Sequence, residues 1–316
     1  MLSKVQTYTA TLSLSQTEAL RKTLEAEGFE FAGRPYTLYF AQKGKVSVAV
    51  YEKGPKVVVQ GKETEDFVRF TLEPKVLGEA RLGYEELLNP EMFQPHFGID
   101  ESGKGDFFGP LVIAGVYVNG NIAREFLGIG VTDSKKIGSD RRIKELARLI
   151  VQVPEATHNV VLIGPERYNE LYRKFANLND LLAWGHARVI ENLLTARPDC
   201  PRALSDQFAN ARVIKKALLE RGKAITVDQR TKAESDVAVA AASILARERF
   251  VNWLENQGKM VGLTLPKGAS AQVKAAACSL VARAGPDALP RFAKVHFRTA
   301  AEVLDALTKP AGPGEE

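Results

Sequence analysis

The chain has 316 residues, 45% hydrophobic and 26% charged, with 43 basic against 38 acidic side chains for a formal charge of +5. That length suggests about two domains with a substantial core, and that balance excludes disordered, collagen-like and membrane-embedded classes while staying compatible with a polyanionic partner. Cys200 and Cys278, without CxxC or Cys/His spacing, support neither a disulfide framework nor a zinc site, and with no apolar leader or spanning run the expectation is a cytoplasmic protein with no membrane partner.

In chain order, residues 15–27 read as a helix, with Ser15 and Glu18 as a capping box and Gly28 as the stop. Three alternating runs follow, YTLYFAQ from Tyr36, VSVAVY from Val46 and KVVVQG from Lys56, broken by KGK and EKGP turns, the pattern of an antiparallel sheet. A short helix over 63–72 closes a small α+β domain of residues 1–75, and the Pro, Gly and Asn punctuation of 76–95 reads as a linker.

From Phe97 strands and helices alternate. FGIDE and GPLVIAGVYVN read as a hairpin, followed by a helix over 140–151, a strand over 156–163, helices over 165–174 and 177–195, and a strand over 202–206. A helix over 211–221, a strand over 224–227, and helices over 235–256, 270–284 and 299–307 complete an α/β domain at 96–308, with 309–316 as a polar tail. The expected fold is therefore α/β with a mixed sheet, preceded by the small α+β unit.

Chemistry concentrates in GIDESGKGDFFGP at 98–110. Asp100 and Glu101 end an apolar strand, where neighbouring side chains point to opposite faces, so both acids reach one site only if the strand end twists or bulges. Gly103, Lys104 and Gly105 come next: backbone N–H groups without a Cβ beside them let a nucleic-acid backbone or a ribose 2′-hydroxyl approach. Asp206 ends the strand ALSD, and Glu234 precedes a helix rich in alanine, thin enough to pack close to the sheet, with Ser235 as its expected cap. Each acid taken singly reads equally well as a turn residue or a helix-terminus charge; it is the set that points to a site. Four clustered carboxylates need compensating cations, and an oxygen-only donor set points to Mg²⁺, with Mn²⁺ as substitute. Two such ions about 4 Å apart suit hydrolysis of a phosphodiester to a 5′-phosphate and a 3′-hydroxyl.

His96, His158, His186 and His296 show no ligand spacing, and His186 reads as packed or hydrogen-bonded; Asp180 and Asp236 read as first-turn helix charges.

Taken together, GIDESGKGDFFGP, VTDSKK at 131–136, NLNDLLAWGHARVIENLL from Asn177, LSDQFA from Leu204 and TKAESDVAVAAASILAR from Thr231 resemble the type 3 ribonucleases H, ribonuclease HIII, over nearly the whole chain. The type 2 enzymes usually carry an arginine in the glycine motif followed by PLAGP, and an aspartate as fourth acid; Asp106, Phe107, Phe108 and Glu234 stand in those places here. The resemblance implies an endonuclease that cuts the RNA strand of RNA/DNA hybrids, with Asp100, Glu101, Asp206 and Glu234 as catalytic metal ligands. It further implies substrate contacts from Gly103, Lys104, Gly105, Ser134 and Lys135, and a substrate-binding N-terminal domain like the TATA-binding-protein fold, in which Tyr36, Tyr39, Lys43, Lys45, Lys56 and Lys62 are the candidates. A monomer without an obligate protein partner is the default. Nicking 5′ of a single ribonucleotide in duplex DNA, and binding of hybrids without cleavage, are the competing functions.

Overall fold

A computed structural model describes residues 7–78, 86, 89–175, 177–207, 211–231 and 233–308. Most of the expected linker's middle (79–85, 87 and 88) and the tail 309–316 lie outside the described residues. The chain divides into two compact units, with the boundary between Phe93 and Gln94. No described helix is long and apolar enough to cross a membrane.

The N-terminal unit is a five-stranded antiparallel sheet in the order β1-β5-β4-β3-β2: β1 Thr7–Thr11, β2 Glu30–Ala32, β3 Thr37–Lys43, β4 Val46–Tyr51 and β5 Lys56–Gly61. Helix α1, Leu14–Ala26, begins one turn position earlier than expected: Ser13, in extended backbone, forms the capping box with Gln16, and Ser15 lies inside the first turn. The expected helix at 63–72 runs on, as a regular turn Thr64–Phe67 and wide turns Val68–Leu77 that include Pro74. Burial of Phe67, Val68, Leu72 and Val76 against Val48, Val50, Val57 and Val59 carries it through the proline. Strands β1 and β2 are additions: their residues are mostly exposed, so they show little apolar signal.

The second unit is built on a five-stranded mixed sheet in the order β10-β9-β6-β7-β8. Strands β6 (His96–Ser102), β7 (Leu111–Val118) and β8 (His158–Ile163) are antiparallel, while β9 (Arg202–Asp206) and β10 (Thr226–Arg230) run parallel to β6. Helices α2 (Gly120–Gly128), α3 (Asp140–Gln152), α4 (Pro165–Phe175), α5 (Leu178–Ala196), α6 (Ala211–Ala217), α7 (Val237–Val261), α8 (Ala271–Ala284) and α9 (Arg298–Thr308) surround it. The sequence reading lacked α2, whose start is capped by the Asn119 side chain.

The sheet lies between α7 and α5. Gly98 has no side chain where α7 crosses: a Cβ there would lie 2.1 Å from the Ala238 carbonyl carbon. On the other face Gly115 makes the same room for Val189 and Leu193 of α5. Ala238, Ala240, Ala241, Ala242 and Ala246 are all buried, in keeping with a thin helix laid close on the sheet. Its cap is Asp236, not Ser235: the Asp236 carboxylate accepts from the backbone N–H of Ala238 and Val239, while Ala233–Ser235 forms a separate tight turn. Asp236 is also paired with buried His96 at 3.0 Å, which pins the helix start to the beginning of β6.

Candidate active site

Asp100 and Glu101 keep the strand alternation. The pairing of β6 with β7 runs without a break through Asp100↔Ala114, Glu101↔Ile113 and Ser102↔Val112, so of the twist or bulge expected there the bulge is absent. Each acid turns to its own face and is anchored by the helix on that face. Asp100 meets α7, where Ser243 hydrogen-bonds its carboxylate; Ser243 in turn is 2.7 Å from the Ser134 hydroxyl. Glu101 meets α5, where His186 Nε2 lies 3.1 Å from Oε2. Both still reach one space, because they stand at the strand's last turn of pleat and the chain leaves the sheet immediately after Ser102.

That space is a pocket of about 340 Å³ walled by Asp100, Glu101, Asp206, the Gly103–Lys104–Gly105 segment, Ser134 and Lys135, with Ser243 and Arg247 behind. Asp206 arrives from the end of β9, and its Oδ1 accepts weakly from the Ala233 N–H at 3.4 Å, linking it to the turn that bears Glu234. Glu234 does not line the pocket itself. It joins the cluster through Lys135, whose Nζ is 3.7 Å from Glu234 Oε1 and also feels the charges of Asp100 and Asp206.

Burial, and then the neighbouring Glu101 charge, push Asp100 up to about 7 against the Ser243 hydrogen bond. Burial also works against the Glu101 charge, but the His186 and Lys104 interactions outweigh it and hold that carboxyl below its ordinary range. Lys135 is raised: its partial burial is overcome by Glu234, Asp100, Asp133 and Asp206. Four acids, Asp100, Glu101, Asp106 and Asp206, share the pocket wall with three cations, Lys104, Lys135 and Arg247. Glu234 Oε2 is buried without a hydrogen-bond partner among the described residues. These features, with an all-carboxylate donor set, fit a hard divalent cation. Among the described residues no three His, Cys, Asp or Glu side chains stand together as a finished metal cage. Uncompensated carboxylates repel one another, and Lys135 stands among them.

The glycine segment has two distinct jobs. Gly103 sits at φ +88, and a Cβ there would lie 2.2 Å from the Pro110 carbonyl oxygen, so only glycine turns the chain out of β6. Gly105 has no atom within 4 Å of a Cβ position and is open to the outside. The following Asp106–Gly109 stretch is strapped down: Asp106 Oδ1 accepts from Gly268 N–H at 2.6 Å, and buried Lys294 donates to the carbonyls of Asp106 and Gly109. Ser134 is buried, with its hydroxyl on Ser243 and its carbonyl on Arg247, while Lys135 is exposed at its tip.

Sequence reading missed three residues here, Ser243, Arg247 and Lys294, while His186, expected to be packed or hydrogen-bonded, is both, with Glu101 as the partner the sequence did not name. Ser243 alone left a trace, as a single polar side chain in an otherwise apolar helical run.

The sequence pattern of the family Ribonuclease HII matches residues 97–300. Ribonuclease HIII of Protochlamydia amoebophila is 41% identical over 98% of this chain and 100% of its own length, and that of Chlamydia muridarum is 42% identical over 95% and 98%. Bst-RNase HIII, solved in complex with Mn²⁺, superimposes with a TM-score of 0.66 at 29% identity, covering 96% of this chain and 99% of that one. Aquifex aeolicus RNase H3 gives 0.54 at 30% identity, over 92% and 100%. Strand-end carboxylates around one pocket, a glycine segment open to the outside, and full-length relatives that share both units lead to one assignment: this chain belongs to the ribonuclease HII family, in its type 3 branch, ribonuclease HIII, and is an endoribonuclease of the ribonuclease H class.

Proposed function

We propose that this protein hydrolyses the RNA strand of RNA/DNA hybrids, with Asp100, Glu101, Asp206 and Glu234 as the ligands of two divalent cations, Mg²⁺ or Mn²⁺. The observation that carries this is the shared pocket: three of the acids line it together with Gly103, Lys104 and Gly105, and the fourth joins through Lys135. Held by these carboxylates, divalent cations would supply an activated water and charge stabilisation at the leaving oxygen, chemistry that would give 5′-phosphate and 3′-hydroxyl ends.

The protein's own part is placement. Ser243 and His186 hold Asp100 and Glu101 from opposite faces of β6. The open backbone at Gly105 lets a ribose approach closely, with room for a 2′-hydroxyl contact that distinguishes RNA from DNA. Lys104 and Lys135 sit at the pocket wall as cations for the phosphate backbone, while buried Ser134 steadies Ser243.

The N-terminal unit serves as a substrate-binding domain in this reading. Its helices cover one face of the sheet, and the register aligns Phe40, Ala49, Val58 and Thr9 in one row of the other face, flanked by Gln42, Ser47, Gln60 and Thr7 and by Tyr51, Lys56 and Thr11. Such a surface of small, polar and aromatic side chains suits a sugar–phosphate backbone. Tyr39 is not part of it: the ring is buried and its hydroxyl donates to the Thr17 carbonyl.

Cleavage of a labelled RNA/DNA hybrid with Mg²⁺ or Mn²⁺ is expected for the wild type, and a loss of at least about 100-fold for Asp100→Asn. Undiminished cutting by Asp100→Asn refutes the site. Strong cutting of a duplex with one embedded ribonucleotide, and none of the hybrid, refutes the substrate.

A further inference from the structure

His186 is a fully buried side chain on a helix whose other buried residues, apart from Gly185 and Glu191, are aliphatic. The local sequence brings it there. Gly185 faces β7, and a Cβ at that position would lie 2.7 Å from Ile113 Cδ1, so glycine lets α5 settle against the sheet at Ile113, the cross-strand partner of Glu101. The next residue on the helix then points its ring at the Glu101 carboxylate, 3.1 Å from Oε2. An ionised carboxylate only accepts, so Nε2 carries the hydrogen.

We propose that His186 is a positioning residue for Glu101: it immobilises Oε2 from beneath the sheet and leaves Oε1 as the oxygen presented to a divalent cation in the pocket. This rests on the metal reading above. Oε1 faces the pocket side, where Lys104 Nζ lies 3.6 Å away. A glutamate has three side-chain torsions, and without His186 the carboxylate at this strand end would sample several orientations, some turning both oxygens from the pocket. Holding one oxygen removes that freedom before the cation arrives, as partners behind metal ligands generally do.

The test is Mn²⁺ binding to the full chain, by calorimetric titration or by loss of the free-ion paramagnetic signal, in wild type, His186→Leu, His186→Gln, Glu101→Gln and the double variant His186→Leu/Glu101→Gln. His186→Leu is expected to weaken Mn²⁺ binding about 10- to 100-fold. His186→Gln keeps an N–H donor within reach and recovers most of that loss. In the Glu101→Gln background the His186→Leu change adds less than about 2-fold, because the group it acts through has gone. Wild-type Mn²⁺ affinity in both His186 variants overturns the proposal, as does an equal further loss in the Glu101→Gln background, which marks a structural histidine only. Wild-type affinity in Glu101→Gln overturns the metal reading itself and the proposal with it, so the two failures are distinguishable. Should His186→Leu fail to fold by circular dichroism, the Gln variant decides alone: Mn²⁺ affinity lowered as far as that of Glu101→Gln refutes rescue by an N–H donor.

Discussion

Replacing Gly98 with alanine adds one methyl group at the centre of the catalytic unit, and the structure determines the sign of its effect. Gly98 lies on β6 between Val116 of β7 and Leu204 of β9. Its φ is not positive, so an alanine could adopt this backbone, and stiffening of the unfolded chain alone would stabilise the protein by about 0.4–1 kcal/mol. Against this, the new Cβ would lie 2.1 Å from the carbonyl carbon of Ala238, 2.2 Å from the nitrogen of Val239 and 2.6 Å from the Ala238 Cβ. Carbon atoms pack at about 3.5–4 Å, so α7 must retreat by more than about 1 Å. The obstruction is helix backbone, and the helix start is pinned to β6 through Asp236 and His96, so no side-chain rotation relieves it. Overpacking of this kind costs about 1–3 kcal/mol and more where backbone must move, which exceeds the entropic gain. Thermal unfolding should fall by about 4–10 °C for a unit of this size. Cleavage should fall too, since α7 carries Ser243 and follows directly on Glu234, and a displacement of about 1 Å at reacting groups can cost about 100-fold. Adding Ala238→Gly should not rescue the variant, because the backbone atoms at 2.1 and 2.2 Å remain. An unchanged or raised melting temperature for Gly98→Ala would refute the close helix-on-sheet contact on which the site's geometry depends.

Two further outcomes follow from buried charge. Asp100 is raised to about 7 by burial and by Glu101, so between its ordinary value near 4 and pH 7 the unfolded chain releases a proton that the metal-free folded protein retains. Metal-free stability should therefore decline as pH rises through that window and level off above it; Asp100→Asn should flatten the decline and exceed wild-type stability at pH 8, and denaturant titrations at pH 5 and pH 8 that show the same difference between the two proteins would contradict this. Lys294→Met removes two donors from the carbonyls of Asp106 and Gly109, leaving buried acceptors unsatisfied, and should lower stability by about 2–4 kcal/mol and raise the KM for hybrid; a variant of wild-type stability and KM would show that the strap beneath the glycine segment is dispensable.

The legibility of this protein in its sequence followed the range of the interactions concerned. Asp100, Glu101 and Asp206 were readable because a carboxylate at the end of an apolar strand is a local pattern, and their convergence follows once the strands pair. Of the twist or bulge expected at Asp100 and Glu101, no bulge is needed: helices on both faces anchor the two acids without breaking the register. Caps were misread by small margins at Ser15 and Ser235, because several residues near each helix start have the right chemistry and only backbone angles decide which one caps. Asp236, read as a first-turn charge, turned out to be the cap and the partner of His96, a residue 140 positions away. His186 was readable as packed or hydrogen-bonded but its partner was not, since Glu101 is 85 positions distant and the pairing exists only once α5 has packed.

Periodicity, turn residues and the glycine–lysine–glycine run determined by themselves the mixed α/β class, the order of the main strands and helices and which acids are candidates for the site, because these are written in neighbouring residues. Which helix holds which acid, which glycines are spacers for a crossing helix, and why a lysine stands among the carboxylates were decided only by the tertiary structure. Those depend on distances between segments far apart in the chain, set by how closely two helices can lie on either face of one sheet.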